Sequence, residues 1–192
     1  MQRSPNAFRC LVFVLACASL TVAGDSIPVH GETWGHLRGR VVLVGETPAT
    51  THIQVTKDAA IFGERIRDDS LRVDPKSRGI ANVAVLLDPA PGTTVEVHPS
   101  YLQSVDQEPL LIAKEGRFLP RVLIVRAGQA VRFRNDDPQG HNFRYCGIRS
   151  GPFNRIIPPG KLFRYELREP ERFPVQLVDG IYPWMEAWII VS

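Results

Sequence analysis

The sequence lacks the minimal motifs of several large enzyme classes. It contains no Gly-x-Ser-x-Gly elbow, no glycine-rich phosphate loop, no His-Glu-x-x-His and no Cys-x-x-Cys. These patterns supply the nucleophile of many hydrolases, the phosphate cradle of nucleotide-binding proteins, the ligands of zinc proteases and the redox pair of thioredoxin-like proteins. Their absence favours a protein that is not an enzyme.

Cysteine is also scarce, with three residues in 192, which excludes a disulfide scaffold. Cys10 and Cys17 lie in the first 24 residues. A mature chain beginning at Asp25 would keep only Cys146 and could form no internal disulfide. We expect Cys146 to be a small, semi-buried thiol.

Residues 1–24 have the features of an export signal. A short basic segment is followed by the apolar run "CLVFVLACASLTV", which is too short to span a bilayer, and then by small residues before Asp25. This predicts a periplasmic or extracellular protein without a membrane span. The alternative interpretation takes "VLAC" as a lipoprotein box, with Cys17 acylated as a lipid anchor.

A large excess of charge of one sign is absent as well. The formal charge is +3, and it would fall to +1 without residues 1–24, so a bulk nucleic-acid binder is excluded. The charge is unevenly distributed, because residues 117–164 carry ten basic residues against two acids, whereas residues 165–192 carry five acids against two arginines. A solvated face of the fold accounts for this pattern, and electrostatic steering of an acidic partner is the alternative.

What the sequence does contain is strand periodicity. Apolar or alternating segments of about five to eight residues stand between Gly, Pro, Asn and Asp breakers; they are Leu37 to Gly45, Gly79 to Asp88, Arg121 to Asp136, Lys161 to Leu167 and Phe173 to Val178. In "AVRFRND" we expect Val131 and Phe133 to face the core and the arginines to face water. The glycine turns "RAGQ" and "IPPGK" predict two hairpins. The spacing favours an all-β, Greek-key sandwich of two sheets.

One short helix is predicted, capped by Thr56 over "KDAAIF" and ended by Gly63. It would belong to an N-terminal elaboration. We therefore divide the chain into a signal peptide at residues 1–24, an edge strand and lid of the same domain at residues 25–78, and the sandwich core at residues 79–192.

Four short motifs occur along the chain, and their order is more specific than any one of them alone. They read "WGHLRG" from Trp34, "DPQGHN" from Asp137, "PFNRIIPPG" from Pro152 and "DGIYPWM" from Asp179. In this order the chain resembles the cupredoxins, the plastocyanin and amicyanin family of type 1 copper proteins, and most closely an exported plastocyanin-like subgroup. The likeness covers residues 34 to 192 and implies a cupredoxin-like fold.

The resemblance also implies a set of ligand positions. In the family, copper is held by two imidazoles, a thiolate and a weak axial thioether. His141 matches the first histidine and Met185 the axial methionine. Asp179 stands where the thiolate is expected and Tyr182 where the second imidazole is expected. Two of the three strong ligands are thus replaced, because a carboxylate disfavours Cu(I) and a neutral phenol is a poor ligand.

These departures predict a cupredoxin-like protein with a degenerate copper site, no cofactor and a binding or structural role. The alternative is a copper-binding protein of altered coordination, in electron transfer or copper handling, using His141, Asp179, Tyr182 and Met185. Cys146 should lie too far along the strand to supply a thiolate. His30, His36, His52 and His98 are expected to be ordinary residues. The loop Tyr182-Pro183-Trp184-Met185 either plugs the end of the core or docks a protein partner.

Overall fold

The computed structural model describes residues 34, 37–87, 89–90, 92–93, 95–102, 104 and 106–192. The chain separates into two compact units, residues 39–84 with 97–192 and residues 1–38 with 85–96. All helices and strands named below lie in the first of these units. The proposed signal and His30 and His36 lie outside the described residues. Among the described residues, no helix combines the length and apolarity needed to cross a membrane.

Two sheets form the sandwich. The five-stranded sheet has the order β5-β11-β10-β7-β8, and the four-stranded sheet has the order β4-β3-β6-β9. Their strands are β3 Leu110–Lys114, β4 Arg117–Leu119, β5 Val122–Val125, β6 Ala130–Asn135, β7 His141–Tyr145, β8 Phe153–Ile157, β9 Leu162–Glu166, β10 Val175–Asp179 and β11 Glu186–Val191. The predicted two-sheet Greek-key sandwich is confirmed.

The core lies between the inner faces of these sheets. Val131 and Phe133 on β6 are fully buried, whereas Arg132 between them is exposed. The predicted alternation along this strand is therefore confirmed. Phe133 contacts Phe143 of the facing sheet with ring centroids 6.0 Å apart, so the apolar faces of both sheets meet as a sandwich requires.

Both predicted hairpins are wrong. The turn at residues 126–129 joins β5, which pairs in parallel with β11, to β6, which pairs with β3 and β9. The turn at residues 158–161 likewise joins β8 of one sheet to β9 of the other. Each glycine turn therefore carries the chain from one sheet to the other, and the strands on either side of it belong to opposite layers of the sandwich.

The N-terminal part of the larger unit is less regular than predicted. In the described residues of the predicted strands at 37–45 and 79–88, the pairings are isolated bridges, Val42 to Gly79 and Val73 to Ile80, which lie in the larger unit. Leu37 and Val44 are 90% and 88% exposed, so their alternation has no apolar surface to face. A small sheet is formed instead by β1, His52–Gln54, and β2, Arg65–Arg67.

The predicted helix is present but shorter. Helix α1 covers Ala59–Phe62, and Gly63 ends it as expected, with its N–H bonded to the carbonyl of Ala59. Its N-cap is Asp58, which has φ 53° and makes no side-chain capping bond. The prediction that Thr56 caps the helix is therefore wrong. A second four-residue helix, α2, covers Pro99–Leu102.

Strands β3 and β4 are joined by a two-residue turn, Glu115–Gly116. Both residues have positive φ, 53° and 66°, as a type I′ turn requires. Helix α1 packs directly over this turn. A Cβ atom added at Gly116 would lie 3.0 Å from Cδ1 of Phe62 and 3.3 Å from Cδ1 of Ile66, so glycine is required here for both conformation and space.

This double requirement can be tested against Gly160. Gly160 has nearly the same φ, 67°, but a Cβ there would meet nothing within 4 Å. Gly160→Ala should cost about 1–2 kcal/mol, the cost of a left-handed alanine, and Gly116→Ala should cost clearly more because Phe62 must also move. Urea unfolding of the two variants measures the difference. Equal losses would show that α1 is not packed on the turn.

Candidate functional site

His141 is the centre of the candidate site. It begins β7, its side chain is fully buried, and both of its ring nitrogens lie against carboxylates. Nδ1 is 2.7 Å from Oδ2 of Asp179, and Nε2 is 3.0 Å from Oδ2 of Asp137. We call these three residues the carboxylate–histidine triad. His141 is 0%, Asp179 2% and Asp137 6% exposed, so the triad is closed to bulk water.

Asp179, the residue at the expected thiolate position, is the last residue of β10. Its second oxygen, Oδ1, accepts bonds from the backbone N–H groups of Ile181, Tyr182 and Asn142, at 2.7, 3.2 and 3.2 Å. The first two donors belong to the loop that follows it, so the carboxylate folds that loop back over the strand end. This local pattern is what aspartate side chains form in turns.

Asp137 is the functional residue that sequence reasoning missed. Its oxygens accept the N–H groups of Glu115 at 2.5 Å and Gly116 at 3.0 Å in addition to the His141 bond. It therefore ties the β3–β4 turn of the four-stranded sheet to β7 of the five-stranded sheet. The available signal was the spacing of Asp137 four residues before His141. Only the folded turn shows that this carboxylate points at the ring.

The geometry indicates a doubly protonated ring. Neutral imidazole has one N–H group, whereas two carboxylate partners call for two donors. Burial alone would lower the pKa of His141, but the hydrogen bonds and charges of Asp137 and Asp179 outweigh it and raise that pKa. Burial would raise the pKa of Asp137, but His141 and the N–H groups of Gly116 and Glu115 hold it below its usual range. The triad is thus an internal ion cluster.

Tyr182, at the expected second-imidazole position, is buried beside the triad but directed elsewhere. Its ring centroid lies 5.0 Å from that of His141, while its hydroxyl donates to Oδ2 of Asp58 at 2.6 Å. Burial and this bond raise the pKa of Tyr182, so the phenol stays protonated. Its ring also meets Phe62 edge-on, with centroids 5.2 Å apart. Tyr182 therefore attaches α1 to this end of the sandwich.

The remaining loop residues divide into buried and accessible ones. Met185 is 1% exposed and joins the core, Pro183 is exposed, and Trp184 is half-buried. Nε1 of Trp184 donates to the carbonyl of Gly116 at 3.2 Å. Of the four residues named for a partner patch, only Pro183 and Trp184 offer surface. That patch stays a prediction.

The other sequence-selected residues lie away from the triad. Cys146 is exposed and follows the end of β7, so the expectation of a semi-buried thiol is wrong: the strand stops before it and leaves it uncovered. His52 is exposed on β1. His98 is half-buried, with Nδ1 2.7 Å from Oγ of Ser100.

This donor arrangement does not match a type 1 copper centre. Both nitrogens of His141 are engaged, the Tyr182 hydroxyl is bonded to Asp58, and a carboxylate replaces the thiolate. Within the described part of the chain, no group of three or more His, Cys, Asp or Glu side chains is arranged to hold a metal ion.

The ion cluster predicts a pH dependence of stability. Because its pKa is raised, His141 should contribute stability that is complete below about pH 6.5 and lost as pH rises through the higher folded value. Because the pKa of Asp137 is lowered, this carboxylate should contribute stability that is complete above about pH 3.9. That contribution is lost as pH falls through the lower folded pKa. The urea midpoint should therefore be highest in the mildly acidic range.

His141→Gln should remove the alkaline limb of that profile and destabilise the protein by about 3–5 kcal/mol, because it leaves two buried carboxylates without their counter-ion. His52→Gln, an exposed histidine change, should leave the profile intact. An unchanged alkaline limb in His141→Gln would contradict the charged ring.

The Tyr182 hydroxyl predicts a local effect on α1. Tyr182→Phe should cost about 1 kcal/mol and should speed amide hydrogen exchange at Ile61, Phe62 and Gly63, whose N–H groups close the helix. Tyr165→Phe removes a comparable bond, from the hydroxyl to the carbonyl of Ser150 at 2.9 Å, and serves as the matched control. Equal exchange on α1 in both variants would show that Asp58 does not depend on Tyr182.

No protein-family model matches the sequence, and a search of curated proteins finds no match. The solved structures that match this chain include a cupredoxin, an amicyanin and a copper-containing nitrite reductase. The purple cupredoxin of Nitrosopumilus maritimus is 21% identical over 44% of this chain and 100% of its own, with a TM-score of 0.37. Amicyanin of Paracoccus versutus is 15% identical over 44% and 81%, with a TM-score of 0.39.

The copper-containing nitrite reductase of Thermus scotoductus is 23% identical over 57% of this chain and 28% of its own, with a TM-score of 0.41. At these values the matches carry nothing about ligands, reaction or partners. The two sheets, their strand order and the crossings between them give the chain a cupredoxin-like fold.

Proposed function

We propose that this protein is an exported, cupredoxin-like module that binds or organises another protein and uses the carboxylate–histidine triad in place of copper. The observation that carries the proposal is the engagement of both His141 nitrogens by buried carboxylates. A ring held in this way has no lone pair for a metal. The position at which the resemblance expects a ligand is thus occupied by an electrostatic clamp.

The same observation argues against catalysis at this position. A histidine next to an aspartate can serve as a general base only if its other nitrogen reaches the substrate. Here that nitrogen faces Asp137, and the ring has no solvent exposure. The triad therefore supports a structural role, in which it joins the ends of β7 and β10 to the β3–β4 turn.

A binding role is supported by what the triad holds in place. The loop of residues 180–185 presents Pro183 and Trp184, and its backbone is fixed by Asp179 and by the bond from Gly180 N–H to Asn142 at 3.2 Å. A rigid loop loses little entropy when a partner binds. Export rests on the sequence of residues 1–24 alone.

Copper loading tests the proposal. Adding Cu(II) to the purified protein should produce no intense blue thiolate-to-copper band and should leave the thermal midpoint in place, because only binding to the folded state raises it. The measurement should be repeated in Cys146→Ser, since the exposed thiol of Cys146 can bind or reduce copper on its own. A midpoint increase that is lost in His141→Gln would support altered-coordination copper binding instead.

A gain-of-function variant supplies the positive control. Asp179→Cys with Tyr182→His removes the carboxylate from Nδ1 of His141 and introduces a thiolate and an imidazole at the expected spacing. Asp137 would still accept the Nε2–H of His141. In metal sites, a carboxylate that accepts the other ring N–H of a ligating histidine orients the ring. The double variant should turn blue with copper, whereas either single variant should not. A folded but colourless double variant would contradict the assignment of the ligand positions.

A further inference from the structure

Two clefts lie beside the triad, between the small β1–β2 sheet and the sandwich. One, of about 340 Å³, is lined by α1, β2 and Arg117. The other, of about 130 Å³, extends from β2 to Trp184. Both have Ile66, Arg67 and Arg117 in their walls, so they are neighbours, and we call the pair of clefts the arginine groove.

Positive charge dominates this groove. Five arginines line it against three acidic residues: Arg65, Arg67, Arg72, Arg117 and Arg121 against Asp69, Glu115 and Glu186. Arg67 and Arg117 share the single carboxylate of Asp69. Arg65 and Arg72 are exposed and form no ion pair with any residue the structure describes. The groove therefore has unused capacity for carboxylates or other anions.

Crowding of the guanidinium groups also favours the binding of an anion in the groove. Burial, together with the charges of Arg67 and Arg121, holds the pKa of Arg117 below its ordinary value. Like charges this close are relieved by an incoming anion.

The groove also contains an unpaired strand edge. Next to the two ends of β2, the carbonyl of Glu64 accepts the N–H of Val55 and the N–H of Asp68 donates to the carbonyl of Thr51, both on the β1 side. Backbone groups of successive residues point to opposite sides of a strand. Arg65 and Arg67 therefore turn their N–H and C=O groups away from β1. The carbonyl of Arg67 indeed accepts a bond from Nη2 of Arg117, at 3.4 Å. Among the described strands, none pairs with this edge.

We propose that the arginine groove binds an extended, acidic segment of a partner protein, which adds as a strand to the open edge of β2 and places alternate carboxylates against the arginines. Arg65 and Arg67 are two residues apart, which is the spacing of same-side residues in an extended chain. The apolar wall formed by Ile61, Phe62 and Ile66 suits alternate apolar side chains. Strand addition of this kind combines backbone affinity with side-chain specificity.

This inference rests on the proposed binding role but not on the absence of copper, so the two can fail separately. The groove adjoins Trp184, Met185 and Gly116. The triad and the Trp184 bond fix that wall. A partner in the groove would therefore also reach the exposed part of the 180–185 loop.

The test uses the full-length protein and a fluorescein-labelled octapeptide of alternating glutamate and valine, followed by fluorescence anisotropy. We expect saturable binding that weakens with salt, as charge-steered association does. Arg65→Gln should reduce affinity up to about fivefold, the effect of one exposed ion pair. Arg168→Gln, at an arginine that lies outside the groove and is 75% exposed, should leave affinity unchanged. The matched peptide with glutamine for glutamate should bind much more weakly.

A third peptide separates strand addition from simple charge attraction. Methylation of alternate backbone nitrogens keeps every carboxylate but removes the donors that pair with β2, so this peptide should lose most of the affinity. Equal binding of the methylated peptide, or equal loss of affinity in Arg168→Gln and Arg65→Gln, would overturn the proposal. Tighter, Arg65-dependent binding of heparin than of the acidic peptide would assign the groove to a polyanion. Self-association that Arg65→Gln abolishes would assign it to a second copy of this chain.

Discussion

A positive charge buried between two negative ones is the interaction on which this end of the molecule depends. Removing three ionisable groups from water costs several kcal/mol for each ion before any compensation. His141 supplies one counter-charge to two carboxylates, and five backbone N–H groups supply the rest of the solvation that water would give. Because these donors come from two turns and a strand, the charges can be satisfied only when all of those segments are in place.

The hydrogen bonds of the triad therefore hold several loops of the fold in place. Asp137 accepts the N–H groups of the β3–β4 turn, and Nε1 of Trp184 donates to the Gly116 carbonyl of the same turn. Asp179 fixes the 180–185 loop by accepting the backbone N–H of Ile181, and the Tyr182 hydroxyl of that loop donates to Asp58, the residue before α1. The β3–β4 turn and the 180–185 loop, which contribute residues to one wall of the arginine groove, are consequently joined to the triad by a single network of hydrogen bonds.

Local sequence patterns predicted those features that are decided locally. Alternation around Val131 and Phe133 identified the buried face of β6, and Gly63 identified the end of α1, because each depends on neighbouring residues alone. The glycine turns at 126–129 and 158–161 were misassigned, since a turn between two apolar strands has the same sequence whether the strands pair or face each other. The segment at 37–45 has the alternating pattern of a strand, but Leu37 and Val44 are exposed and the segment is not part of a described sheet.

The candidate site shows the same division. The order of motifs singled out His141, Asp179, Tyr182 and Met185, and the structure brings Asp179 and Tyr182 next to His141. The order of motifs could not show that Asp137 completes the triad, because the N–H groups that hold this carboxylate come from the β3–β4 turn more than twenty residues earlier. Nor could it show that the Tyr182 hydroxyl bonds to Asp58, which is distant in sequence. The exposure of Cys146 depended on where β7 ends, which alternation does not define.

The parallel pairing of β5 with β11 has a consequence for how the molecule assembles. Val122 lies opposite Trp188, so an early strand of the sandwich finds its neighbour only in the last one, after the chain has crossed between the sheets. Pairings this distant in sequence require loop entropy to be lost before contacts compensate it, which slows folding. Until β11 arrives, β5 and β10 each present an unpaired edge, and during that interval the chain is open to association with other chains.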